Sequence, residues 1–357
     1  MIVTHLKAQH VRCLQPLDIQ PAPGINLVFG ENASGKTSFL ECLYLLSRGR
    51  SFRSNHLARV ASRGQPGFSL FSRISRGSDA QAAGLGIAYQ DNHLKIKADG
   101  KLIKKRSELA TYLPLIILHQ ESYRILTEGP DFRRRFMNWG LFHVEQSFLS
   151  LWRCYSRTLK QRNLSLQQGG DVEIWDATLK EAAIGIDALR SLFSLELTDA
   201  FHRYLEVLVP AIKDLNVKYY PGWERGREFY DVLRDSYSTD KKRGYTGCGP
   251  HRADLIFRRH GVALKENISR GQQKLVICAL QFAQAEVYAR RTGRSCLILV
   301  DDVTAELDRS HRDIFFELID ELNVQGFVTA TEALASLPKR MIQKRFHVKH
   351  GDIQEVL

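Results

Sequence analysis

The residues Gly30-Glu31-Asn32-Ala33-Ser34-Gly35-Lys36-Thr37 match the pattern G-x-x-x-x-G-K-[ST] in full. That pattern binds phosphate. Gly30 and Gly35 let the backbone curl so that successive N–H groups face one anion, and a following helix adds partial positive charge at its start. Lys36 can reach the outer phosphates of a nucleotide, and the Thr37 hydroxyl can ligate Mg²⁺. The flanks suit this chemistry. Residues 25–29 are mostly apolar and strand-forming, and Phe39, Leu40, Leu43, Tyr44 and Leu46 recur at helical spacing after the loop. Residues 30–38, with Ser38 as the last, are the candidate phosphate contacts, and Lys36 is a candidate catalytic group.

A phosphate loop implies a nucleotide without saying what is done to it. The other half of the chemistry lies far down the chain. Cys296-Leu297-Ile298-Leu299-Val300 is an unbroken apolar run that ends in Asp301-Asp302. Such runs read as strands buried on both faces of a parallel sheet, and groups at their C-terminal ends lie on the ligand edge. Asp301 is therefore the candidate Mg²⁺ partner beside Thr37. Asp302 is the candidate to orient or deprotonate an attacking water. A third element, Ile268-Ser269-Arg270-Gly271-Gln272-Gln273-Lys274, opens an apolar helical run. It resembles the signature motif of ABC-type ATPases, with Ile for Leu and Arg270 for the first Gly. In that class the signature of one subunit completes the nucleotide site of another, so Ser269, Arg270, Gly271 and Gln272 are candidate contacts to a nucleotide held by a second copy. Ala305-Glu306-Leu307-Asp308 stands where that class has its D-loop. Read without the class, the same segment is an N-capped helix with no ligand.

Composition narrows the partners. Among 357 residues, 51 are Lys or Arg and 39 are Asp or Glu, a net charge of +12 that favours a polyanion such as DNA or RNA. No apolar stretch reaches the roughly 18 residues of a membrane span. The N-terminus lacks the features of a signal peptide. The six cysteines are scattered with no C-x-x-C pair, which points to reduced thiols and a cytoplasmic protein rather than a zinc site.

The phosphate loop and the signature are too far apart for a compact transporter cassette, so something is inserted. The first segment is β-rich: residues 68–74 partly alternate, residues 94–97 alternate cleanly, and Asp99-Gly100 is a hairpin signal. From about residue 130 to 213 the spacing is helical, broken by Gln168-Gly169-Gly170. No heptad runs long enough for a coiled coil. Strand texture returns from Asn216, and residues 346–353 suggest a terminal hairpin. The expected fold is α/β: an ABC-type P-loop ATPase head, a mixed β-sheet with flanking helices, carrying an inserted α-helical arm. The expected divisions are 1–120 (head, phosphate loop), 121–215 (arm) and 216–357 (head, signature and carboxylates).

Further stretches resemble one family along nearly the whole chain. Gly129-Pro130-Asp131-Phe132-Arg133-Arg134-Arg135-Phe136, Leu159-Lys160-Gln161-Arg162-Asn163, Thr246 with Gly249-Pro250-His251-Arg252-Ala253-Asp254, and Gly49-Arg50-Ser51-Phe52-Arg53 are similar to segments of the RecF family, bacterial recombination mediator ATPases. The resemblance implies a split head with a helical arm, ATP and Mg²⁺ as cofactors, an ATP-dependent homodimer on DNA (single-stranded gaps, junctions or duplex), and slow ATP hydrolysis. It also implies work with RecR and RecO to load recombinase on single-stranded DNA. Departures are visible. Residues 116–121 differ from the usual loop between nucleotide and arm, which leaves a Q-loop role for Gln120 open. Thr329 or Thr331 must stand in for the His that many relatives of the class use to sense the outer phosphate. Asn138 replaces a usual Asp, and Ala305 a usual Ser.

For DNA the basic candidates are residues 104–106, 133–135 and 241–243, each of which also reads as a solvated or packing cluster. His251 and Arg252 fit either a nucleotide-proximal role or a hydrogen-bonded turn. Two other classes stay in view. An ABC-type subunit of a protein assembly would need a membrane or a long arm. A small-molecule kinase would not need a signature or a D-loop.

Overall fold

The computed structural model describes residues 1–75, 82–333 and 341–356. By packing the chain forms two units, Met1–Ser122 with Tyr288–Leu357, and Tyr123–Val287.

The first unit holds two six-stranded sheets. One is antiparallel and runs, edge to edge, Leu17–Ile19, Ile2–Gln9, Gly67–Ser75, Ala83–Gln90, His93–Ala98, Lys101–Leu102. The second runs Asp352–Val356, Ile342–Lys349, Ile25–Phe29, Gly326–Ala330, Leu297–Val300, Leu115–Leu118. Its last five strands are mutually parallel, and only Asp352–Val356 is antiparallel to its neighbour. Leu297–Val300 and Gly326–Ala330 are buried at every position, as the unbroken apolar run required. Asp99 and Gly100 both have positive φ and join His93–Ala98 to Lys101–Leu102, so the expected hairpin is present.

The helix that follows the phosphate loop, Lys36–Arg48, lies between these sheets. Its spacing suggests one apolar face, yet Phe39, Leu40, Cys42, Leu43, Leu45 and Leu46 are all buried. One core contains these residues together with Leu6, Ile74 and Leu85 of the first sheet and Leu299, Phe327 and Phe346 of the second. A helix covered on both sides needs apolar residues all round. Phe39 sits 5.7 Å from the Phe327 ring and is fully buried; removing such a ring costs about 3–5 kcal/mol.

The second unit contains the long helices Pro130–Val144, Phe148–Gln168 and Glu173–Leu208. Gly169 ends the middle helix in the left-handed conformation, where the sequence places its breaker. The helical segment packs with residues that follow the expected division at residue 215. Asn216–Tyr220, Asp254–Arg259 and Val262–Ala263 form a small sheet. Phe257 meets Phe201 of the long helix edge-on, and Arg133 pairs with Asp254. Residues 216–287 are held to the helices by these contacts and not counted with the first unit.

Candidate nucleotide site

In the first unit, Ile25–Phe29 delivers the chain to Gly30, and the loop closes at the start of Lys36–Arg48. Its glycines answer to neighbouring backbone as well as to phosphate. A Cβ on Gly30 would lie 2.3 Å from the Val348 carbonyl oxygen. Gly35 has φ +123°, a conformation that side chains disfavour. The turn of the terminal hairpin grips the loop from outside: Gly351 N–H donates to the Ser34 carbonyl at 2.9 Å, and Gln15 N–H donates to the Gly351 carbonyl at 2.9 Å. A Cβ on Gly351 would sit 1.9 Å from the Cys13 carbonyl oxygen.

Glu31, Asn32 and Ala33 are exposed, and Ser34 to Lys36 are buried. The Lys36 ammonium donates to the carbonyls of Gly30 (2.7 Å) and Glu31 (2.8 Å), curled over its own loop. Burial lowers its pKa from the ordinary lysine value; the carboxylates of Asp302 and Asp301 act against that. The Ser34 hydroxyl oxygen is buried with no hydrogen-bond partner among the described residues. A buried orphan in a loop of this kind is what a phosphate oxygen would satisfy.

The carboxylate pair arrives at the end of Leu297–Val300. The Thr37 hydroxyl donates to Asp301, with its oxygen 3.0 and 3.2 Å from the two carboxylate oxygens. Asp301 also accepts from the Thr329 hydroxyl at 3.0 Å, and Thr329 accepts from Asp302 N–H at 2.7 Å. Thr329 is fully buried, so its hydroxyl is committed to holding both acids. Asp302 has φ +56° and caps the helix Val303–Glu306, accepting from Ala305 N–H. Among the described residues no group of three or more His, Cys, Asp or Glu could hold a metal. A hydroxyl and a carboxylate on adjacent element ends nevertheless fit Mg²⁺, which takes few protein oxygens and fills its shell with phosphate and water.

One part of this site escaped the motifs. Glu41, fully buried in the phosphate-loop helix, receives Arg12 through two bonds of 2.8 and 2.9 Å. It also accepts from the Ser51 hydroxyl and lies 3.6 Å from Arg53. Arg53 donates in addition to the Ser38 hydroxyl at 3.3 Å. The sequence offered two signals for this cluster, a lone Glu in an otherwise apolar helical run and the Gly49–Arg53 stretch that supplies Ser51 and Arg53.

The signature lies in the second unit and is described by itself. Ser269, Arg270 and Gly271 are exposed. The Ser269 hydroxyl accepts from Gln272 N–H (3.2 Å), and the Gln272 side chain accepts from Ser269 N–H (3.0 Å), a reciprocal cap of the helix Arg270–Thr292. Asp308 caps Arg309–Glu321; its hydrogen bonds from His311 and Ser310 lower its pKa to about 2. Gln120 is exposed and opens the short 3-10 turn Gln120–Tyr123.

The remaining motifs turn inward. Arg162 is fully buried and donates to Asp176, Asp240 and Thr246. His251 accepts from the Tyr155 hydroxyl at 2.6 Å and donates to the Thr246 carbonyl at 3.0 Å, the assignment that satisfies both contacts. It is the hydrogen-bonded turn residue of the two readings. Arg133 and Arg134 are spent on Asp254, Ala253 and Asp131, so that cluster packs the second unit internally.

Comparison with known proteins follows the same lines. The family model for the RecF/RecN/SMC N terminal domain matches residues 2–351. The DNA replication and repair protein RecF of Stutzerimonas stutzeri is 36% identical over 364 residues, covering 100% of this chain and 98% of that protein. The RecF of Nitrosococcus oceani is 36% identical over 366 residues and 100% of both chains. A solved structure of the recombination mediator protein RecF with ATP, in the RecFOR pathway, superposes with a TM-score of 0.86 at 24% identity, covering 100% of this chain and 98% of that one. An Smc head bound to the C-winged helix domain of ScpA gives 0.63 at 14% identity, over 100% and 97%. The two structures establish the fold, an ABC-type ATPase head, and the sequence relatives establish the lineage: the chain belongs to the RecF family within the RecF/RecN/SMC group.

Proposed function

We propose that this chain is an ATP-switched DNA-binding protein of recombinational gap repair. It binds ATP and Mg²⁺ at residues 30–38 and dimerises through the Ser269–Gln272 signature of a second copy. On gapped or branched DNA it hydrolyses ATP slowly and helps RecO and RecR load recombinase. The observation that carries the nucleotide half is the meeting of Thr37 and Asp301 at 3.0 Å beside a buried, partnerless Ser34 hydroxyl. Bound Mg²⁺, held by Thr37 and Asp301 with phosphate oxygens, would neutralise phosphate charge. Lys36 would exchange its two carbonyl partners for phosphate oxygens. Asp302, facing the same space, would accept a hydrogen bond from the attacking water. The signature is exposed and already capped, which suits an anion brought by another molecule.

The DNA half is supported by one basic surface of the first unit. Residues 48–63 contain five arginines, one histidine and no acid. Arg50, His56 and Arg106 line a cleft of about 460 Å³ with Asn55 and Asn92. Asn92 stands in the turn after Ala83–Gln90, its carbonyl held by the Tyr89 hydroxyl. Lys95, Lys97, Lys101, Lys104 and Lys105 are exposed alongside. Clustered cations of this kind fit a phosphate backbone.

The test is molar mass in solution for Asp302→Asn, which keeps the binding groups and removes the candidate base. With ATP and Mg²⁺ on gapped DNA at low salt a dimer is expected, and Ser269→Arg should abolish it. A monomer despite measured ATP binding overturns the dimer. Unchanged DNA affinity in Arg50→Glu/Arg106→Glu removes the basic cleft from the model.

A further inference from the structure

Two hydroxyls near the carboxylate pair, those of Thr304 and Thr331, remain to be placed. The strand Gly326–Ala330 ends where many ABC ATPases place a phosphate-sensing His. Thr329 is fully buried between Asp301 and Asp302 and has no proton left to offer a phosphate. Thr331, two residues on, is exposed. Its hydroxyl lies 3.2 Å from that of Thr304, and the Thr304 hydroxyl lies 2.7 Å from Asp302 Oδ1.

The direction of these bonds follows from proton counting. An ionised carboxylate can only accept, so the Thr304 proton goes to Asp302. Thr304 then has only lone pairs for Thr331, and the Thr331 proton must fill one of them. The chain Thr331 to Thr304 to Asp302 therefore donates one way. Thr331 N–H approaches the same Thr304 oxygen at 3.5 Å. Asp302 Oδ1 is occupied by Thr304 and by Ala305 N–H, while no protein donor meets Oδ2 among the described residues. The free oxygen is the one that could accept from water. The left-handed backbone of Asp302 is a conformation that costs a non-glycine residue about 1–2 kcal/mol, so it needs such ties to persist.

We propose that Thr331 and Thr304 form a hydroxyl relay that fixes the Asp302 carboxylate, so that Thr304 is a positioning residue for ATP hydrolysis and Thr331 couples the end of the Gly326–Ala330 strand to it. This rests on the hydrolase reading above. A plain helix cap makes a different prediction: weakening it would lower stability without separating kcat from KM.

The experiment is steady-state ATP hydrolysis by the full chain with Mg²⁺ and DNA, with ATP affinity and thermal midpoint measured in parallel. Thr304→Val should lower kcat about tenfold and leave KM, ATP affinity and midpoint unchanged. Thr304→Ser should restore most of the rate. Thr331→Val should lower kcat about threefold, and the double variant should be no slower than Thr304→Val alone, because the two act in series. A parental kcat in Thr304→Val, or a loss shared by KM and midpoint, overturns the relay while leaving the hydrolase reading intact. No hydrolysis by the unaltered chain overturns both. Should Thr304→Val fail to fold, Thr331→Val decides alone: a lower kcat at constant KM supports the relay, and a parental kcat overturns it.

Discussion

The two units use the same chemical groups for opposite ends. In the second unit Arg162 is sealed from solvent. Its Nε donates to Asp176 and its Nη1 to Asp240 and Thr246, leaving only Nη2 over. Thr246 passes its own N–H and O–H to Asn163, and Asp240 takes Gly247 N–H as well. In the first unit Asp301 and Asp302 are partly open, Lys36 rests on carbonyls that a phosphate could displace, and Ser34 lacks a partner. A network closed but for one buried Nη2 holds one geometry and has no opening to solvent through which a ligand could reach it. An open one is costly when empty and becomes satisfied on binding. The capacity left over, not the presence of charge, separates a site from a strut.

That contrast can be broken most forcefully at Arg162. Arg162→Met leaves Asp176 and Asp240 buried without their counter-charge, and a loss of about 3–5 kcal/mol in urea unfolding is expected. A loss under 1 kcal/mol would mean that the network is not structural. Lys36→Ala should act the other way round. ATP affinity by fluorescent-nucleotide titration should fall about 100-fold, roughly 2.7 kcal/mol, with an unchanged thermal midpoint in the absence of nucleotide. A lowered midpoint would make Lys36 a strut as well.

Acid sharpens the comparison within the second unit. Burial lowers the pKa of His251 to about 4, against an ordinary value of 6.5. The fold therefore holds the neutral ring. Its contribution to stability is complete above about pH 6.5 and drains away as the pH falls toward 4, at up to about 1.4 kcal/mol per pH unit. Replacing it by Gln should flatten that limb of the stability profile; an unchanged slope would assign the acid sensitivity elsewhere. The smallest effect concerns Arg190, fully buried with Nη2 on Asn138 at 2.8 Å and Nη1 on the Pro250 carbonyl. Asn138→Asp would give it a carboxylate and should stabilise the chain by about 1 kcal/mol. Destabilisation would show that Arg190 is already compensated.

Much of the nucleotide site is legible in the sequence because its geometry is local. The phosphate loop, the strand before it and the helix after it are contiguous, and the Asp301-Asp302 pair closes a run whose unbroken apolar character announces its burial. The hairpin turns at Asp99-Gly100 and at residues 350–351 are legible for the same reason, since left-handed backbone selects few residues. What pattern could not supply is partnership across the chain. The division after Val287 depends on Asn216–Tyr220 joining a sheet that lies against Glu173–Leu208. The cluster of Arg12, Glu41 and Arg53 depends on three segments meeting. The fate of Arg133 was decided by Asp254, far away in sequence. Each of these is a choice among neighbours that only the folded chain provides.

The strand that carries the phosphate loop has its own neighbours at the far end of the chain. Ile25–Phe29 is flanked by Gly326–Ala330 and Ile342–Lys349, and the loop itself is clasped by Gly351. During synthesis the loop emerges among the first residues and waits for nearly all the others. Until Gly326–Ala330 has been made the central strand has neither of its partners, and until residue 351 has been added the Ser34 carbonyl lacks the Gly351 donor. The nascent protein thus spends most of its translation with this apolar strand unpaired, which invites chaperone binding.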